Sequence, residues 1–82
     1  MMTGRVLLLG RRPRVLDQLA DALRRAGLQV RQETDLDAAG IRIDGSTVDV
    51  VVLGRGVTGA RRKAIVNALR AKNPGLRVVD GL

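Results

Sequence analysis

Cysteine, histidine, phenylalanine, tryptophan and tyrosine are all missing from these 82 residues. Without cysteine there is no disulfide and no thiolate nucleophile. Without histidine the chain lacks the commonest metal ligand and the usual general base near neutral pH. Without aromatic rings the core must be built from Leu, Val, Ile and Ala, and no nucleobase can stack on a side-chain ring. Ser46 and the threonines have no visible base partner, and the carboxylates are scattered, so the chain is expected to be non-catalytic and metal-free. No charged segment followed by a long apolar run opens it, and no stretch approaches the roughly 18 apolar residues of a membrane span. A cytoplasmic location is therefore expected.

What is present is apolar and basic. Hydrophobic residues make up 45% of the chain, too many for a disordered one. The length suits one domain, residues 1–82. A domain this small buries only about 60% of the surface its unfolded chain exposes, which makes help from a second copy, a homodimer, attractive. Fifteen Lys and Arg against eight Asp and Glu leave a net charge of +7. That balance favours an anionic partner such as a phosphate-bearing small molecule, an acidic protein or, less strongly, nucleic acid.

Hydrophobic patterning predicts an α/β chain. Arg5–Leu9 and Val48–Leu53 are short continuous apolar runs, each closed by a glycine, as buried parallel strands are. The second of them, Val-Asp-Val-Val-Val-Leu, reads as the most buried strand of all. From Arg14 to Ala26 the apolar residues Val15, Leu16, Leu19, Leu23 and Ala26 recur at helical spacing, with Gly27 placed to stop the helix. Leu28–Gln32 reads as a strand. A second helix is expected over Gly59–Lys72, with Ile65, Ala68 and Leu69 inward, ended by Asn73-Pro74-Gly75 before a last strand, Leu76–Val79. Residues 34–47 admit two readings: a short helix capped by Thr34 or Asp35 and running through Ala39, or an extended turn around Ile41-Arg42-Ile43 and Asp44-Gly45.

The order strand–helix–strand thus occurs twice. Leu9-Gly10-Arg11 recurs as Leu53-Gly54-Arg55, and Ala22-Leu23-Arg24 as Ala68-Leu69-Arg70. This pattern suits an internal βαβ duplication, and equally two βαβ units that share what their geometry demands. The expected fold is a small open parallel sheet of about four strands in the order 2-1-3-4, with both edges open. Two helices cannot cover both faces of such a sheet, so some apolar surface should stay exposed.

In an open parallel sheet, ligands bind beyond the carboxyl ends of the strands where the strand order reverses, here between the first and third strands. The loops expected there, 10–14 and 54–63, hold seven of the fifteen basic residues. Arg61, Arg62 and Lys63 would crowd the first turn of a helix, where cations are unfavourable unless a negative group sits opposite.

Gly54, Gly56 and Gly59, after a strand and opening a helix, resemble the G-x-G-x-x-G fingerprint of the NAD(P)-binding Rossmann family. The resemblance spans residues 48–80. It implies a Rossmann-like or flavodoxin-like fold and a dinucleotide, NAD or NADP. Gly54 would then make the tight turn, Gly56 admit the pyrophosphate and Gly59 bring helix and strand together, with Asp80 accepting the ribose hydroxyls. Arg61, Arg62 and Lys63 depart from the small or apolar residues usual in that family. Across most of the chain the element order is also similar to the response-regulator receiver domain. That family's acidic pair would fall at Gly10 and Arg11 and its phosphoacceptor at Gly54, so only a degenerate interaction or dimerisation role would survive.

These readings converge on a non-catalytic binding module for a phosphate-bearing anion, a nucleotide or dinucleotide. The site would be formed by Gly10, Arg11 and Arg12 of the first loop with Gly54, Arg55, Gly56 and Gly59 of the second, and by Asp80. A degenerate receiver-like interaction domain and sequence-independent phosphate contact with nucleic acid are the competing readings.

Overall fold

The structure is a computed structural model that describes residues 4–36 and 43–80. Four strands, β1 (Arg5–Leu9), β2 (Gln29–Glu33), β3 (Val50–Leu53) and β4 (Arg77–Asp80), form one all-parallel sheet in the order β2-β1-β3-β4. Helix α1 (Pro13–Arg25) joins β1 to β2, and helix α2 (Gly59–Lys72) joins β3 to β4. A short 3-10 turn, Gly45–Thr47, precedes β3. The expected fold class and strand order are found.

Parallel register brings all four strand ends level. Leu9 lies opposite both Glu33 and Leu53, and Leu53 lies opposite Asp80. The loops leaving β1 and β3 therefore emerge side by side at one sheet edge. At the opposite edge the one acid of the Val48–Leu53 run explains itself. Asp49 accepts the Arg5 backbone N–H at 2.9 Å and, through both carboxylate oxygens, the Arg5 guanidinium at 3.0 and 3.1 Å. This pair holds the Asp49 carboxyl below the usual carboxylate range, through its hydrogen bonds before its Coulomb attraction.

Alternation along the strands divides the core in two. Leu7, Leu9, Val51 and Leu53 point toward Ile65, Val66 and Leu69 of α2, and Leu36, Ile43, Val48, Val57 and Leu76 complete that side. Val6 and Leu8 point toward Leu16 and Ala20 of α1. Gly27 stops α1 with φ +91°, a conformation glycine adopts without penalty, and the Leu28 N–H closes back on the Leu23 carbonyl at 3.1 Å.

Several details differ from expectation. The most buried strand is β1, with four of five residues buried, whereas Val50 and Val52 of β3 are only half-buried. The reason is that α1 packs over β1 and β2, so that Val52 only adjoins the α1-side cluster and Val50 is not part of it. On α2 the third inward position is Val66, and Ala68 is exposed. Val15 is 39% exposed and Ala26 lies outside the helix, while Ala20, absent from the expected set, is fully buried. Both β2 and β4 run one residue further than their apolar stretch, because Glu33 and Asp80 still pair in the sheet. The two readings of residues 34–47 fall largely on 37–42, outside the described residues. Beyond that gap, Gly45–Thr47 is the 3-10 turn, capped by Asp44 accepting the Ser46 N–H at 2.9 Å.

Candidate functional site

The two loops at the switch point meet through glycine. Gly10 follows β1 and Gly54 follows β3, and the Gly54 N–H donates to the Leu9 carbonyl at 2.8 Å. A Cβ on Gly54 would stand 3.2 Å from the Leu9 oxygen and 3.3 Å from the Gly10 Cα, so two side-chain-bearing residues could not sit here undisturbed. Beyond Gly54 the chain turns back at once, with the Val57 N–H donating to the Gly54 carbonyl at 3.0 Å. Val57 is buried in the α2-side core and anchors this turn.

Above the paired glycines lies a cleft of about 580 Å³ lined by Gly10, Arg11, Arg12, Val15, Leu16, Gly54, Arg55 and Gly56. Six of the eight residues expected at the site are thus brought together. Gly59 and Asp80 do not line the cleft. Val15 and Leu16, which sequence reasoning placed with the core face of the helix, form its apolar wall. Val15 lies in the first turn of α1 and is 39% exposed.

The glycines are needed for different local reasons. Gly59 begins α2 with φ +59° and has open space where a Cβ would be, so its backbone conformation is what favours glycine. At Gly56 a Cβ would meet the Arg11 Cδ at 3.1 Å, so the Arg11 side chain lies across this glycine. The helix start that faces the cleft is that of α1. Its first intrahelical bond runs from the Leu16 N–H to the Arg12 carbonyl at 3.2 Å. Arg12 provides no side-chain cap, Pro13 has no N–H, and the first turn holds no acid.

Among the described residues, Arg11, Arg12 and Arg55 make no hydrogen bond or ion pair with their side chains. Ion pairs among the described residues lie away from these three, and they include Arg5 with Asp49, Arg25 with Asp21, and Arg62 with Asp80. Arg62 donates to both Asp80 carboxylate oxygens, from Nε at 2.9 Å and Nη2 at 2.7 Å. Arg62, one of the three cations at the start of α2, therefore has a negative group opposite, and the Asp80 carboxyl is held below its ordinary range by that hydrogen-bonded arginine. Among the described residues no group of three or more His, Cys, Asp or Glu could hold a metal, and no helix is long and apolar enough to cross a membrane.

Chemically, the cleft offers three arginines and an apolar wall, with no carboxylate among the described lining residues. It can attract and fork-bind an anion, and it presents no side-chain acceptor for a hydroxyl. Comparison of the chain with protein-family models, with curated proteins and with solved structures finds no match in any of the three.

Proposed function

We propose that this protein is a non-catalytic binding module for a phosphate-bearing anion, a nucleotide or dinucleotide. The ligand is held in the cleft by Arg11, Arg12 and Arg55 beside the backbone of Gly10 and Gly54. The observation that carries this reading is the convergence of three arginines, without partners among the described residues, on one concave site at the sheet's switch point. A protein gains nothing in folding from crowding like charges around a cleft, whereas an anionic ligand relieves the repulsion. A cytoplasmic location, where nucleotides are abundant, belongs to the same reading.

A thermal-shift screen with phosphate, ATP, NAD, NADP and a DNA oligonucleotide at two salt concentrations tests it. A ligand present at about 100 times its Kd adds about 2.7 kcal/mol to stability, a readily measured rise in Tm. A rise with a phosphate compound that persists at the higher salt and is lost in the Arg12→Ala/Arg55→Ala double variant is expected. No rise with any anion refutes the reading.

A second observation favours association of two copies. On the α1 side of the sheet, Val50 and Val52 are half-buried and Val79 is 47% exposed, a patch that a second chain would cover. Sedimentation of the wild type and of Val79→Asp separates the cases: a dimer lost in the variant supports this reading, and a monomer at every concentration removes it.

A further inference from the structure

Resting on the binding reading above, we infer that the cleft selects terminal phosphate groups, those of phosphate monoesters and diphosphates, over the internal phosphodiesters of a dinucleotide or a nucleic acid. The distinction follows from what surrounds the three arginines and from what has been taken out of reach.

A dinucleotide of the NAD type is recognised through two features: a backbone cradle for its internal pyrophosphate and an acid for its ribose hydroxyls. Neither is free here. The space above Gly56, where a pyrophosphate would approach the backbone, is crossed by the Arg11 side chain. The strand-end acids are engaged as well. Asp80 is gripped through both oxygens by Arg62, and the Glu33 Oε1 accepts the Asp35 backbone N–H at 2.9 Å. Among the described residues, no carboxylate lines the cleft.

What remains is charge and fork geometry. Each guanidinium can donate two parallel N–H groups to two oxygens of one phosphate, and three arginines line the one cleft. A terminal phosphate offers three unesterified oxygens and close to two negative charges near neutral pH, by analogy with a phosphorylated side chain. An internal diester offers two such oxygens and one charge. The terminal group therefore matches more of the arginine donors. The Val15 and Leu16 wall adds apolar contact that does not depend on which base or sugar is attached.

Isothermal titration calorimetry on the whole chain, at fixed ionic strength, with inorganic pyrophosphate, ADP, NAD and a short DNA duplex without terminal phosphates, tests this. Pyrophosphate and ADP are expected to bind within about tenfold of one another, and NAD and the duplex at least about tenfold more weakly per site. Similar affinities for the first two identify the terminal diphosphate as the recognised group. ADP more than a hundredfold tighter than pyrophosphate would assign recognition to the nucleoside instead and overturn the inference. NAD or the duplex binding as tightly as ADP would overturn it while leaving an anion-binding module standing. Absence of binding by all four would remove both readings. Asp80→Asn is expected to leave ADP and pyrophosphate affinities unchanged, and Arg11→Ala, at an exposed position, to lower both in parallel with an unaltered circular dichroism spectrum.

Discussion

Arg62, in the first turn of α2, holds both carboxylate oxygens of Asp80 at the end of β4, at 2.9 and 2.7 Å. The pair joins a helix start to the edge strand it leads into, and it neutralises a cation at the positive end of the helix dipole. The two partners are therefore not equivalent. Removing Asp80 leaves Arg62 unpaired at an unfavourable place, whereas removing Arg62 leaves a carboxylate still facing a helix N-terminus.

From this asymmetry, Asp80→Ala is expected to lower the Tm more than Arg62→Ala does, with the double variant close to Arg62→Ala. The gap between the single variants should shrink as salt is raised, since both groups are partly exposed. Differential scanning calorimetry of the three variants at low and high ionic strength checks this. Equal single-variant losses at both salts would mean that the pair contributes through packing alone.

Packing is more demanding behind the sheet. A methyl group on Gly45 would overlap the backbone carbonyl of Leu69, because the 3-10 turn sits directly against α2. A backbone carbonyl cannot rotate away as a side chain can, so Gly45→Ala is expected to destabilise the fold by at least about 1–3 kcal/mol, the range for overpacked cores. In urea denaturation the midpoint should fall with little change in slope. An unchanged midpoint would show that α2 can shift freely on the sheet.

Much of the fold was legible because β1 and β3 are continuous apolar runs and the helices carry their own stop signals at Gly27 and Asn73-Pro74. Pattern alone could not settle what covers each face. Val66 and Ala68 are both apolar at neighbouring helical positions, and only the placement of α2 over β1 and β3 decides that Val66 is buried. Strand bounds shift by a residue for a related reason: the apolar pattern stops short of Glu33 and Asp80, yet the register continues pairing through them. At the site, the loops were legible from their arginines and glycines. That Arg11 lies across Gly56, that Asp80 belongs to Arg62, and that α1 faces the cleft are tertiary relationships between distant residues, which no local spacing encodes.

The facing of α2 is directly measurable. Val66→Ala removes methyl groups from a closed site and is expected to cost about 1–3 kcal/mol, whereas Ala68→Ser, on the exposed side, should stay within about 0.5 kcal/mol. Chemical denaturation of the two variants distinguishes this arrangement from one in which Ala68 faces the sheet, which would reverse the order.

Acid should unfold the protein through its paired carboxylates. Asp49, bound by Arg5, and Asp80, bound by Arg62, are both held below the ordinary value of about 3.9. A depressed carboxyl contributes stability that is complete above the unfolded-state value and is lost as pH falls through the folded-state value. The wild-type Tm is thus expected to be level from pH 7 to about pH 4 with respect to these groups and to fall below it. Asp49→Asn should start lower at pH 7 and converge with the wild type in acid. Curves that stay parallel down to pH 2 would show that the Arg5 contact does not depend on the charge.

The arginines of the cleft give the sharpest contrast between a site and a merely basic surface. Arg11, Arg12 and Arg55 line one cleft and are without partners among the described residues, so each raises the energy of the others at low ionic strength. If they are there for an anion, removing one should improve folding while damaging binding, the usual opposition between stability and function at a charged site. Arg55→Ala is therefore expected to raise the Tm of the ligand-free protein in low salt, to match the wild type in high salt, and to show a smaller Tm increase on adding ADP. A charge scattered by composition alone predicts another pattern: a substitution that changes neither the low-salt Tm nor the response to ADP. Because the same variant is read with and without ligand, a small general loss of stability cannot imitate the crossing of the two effects.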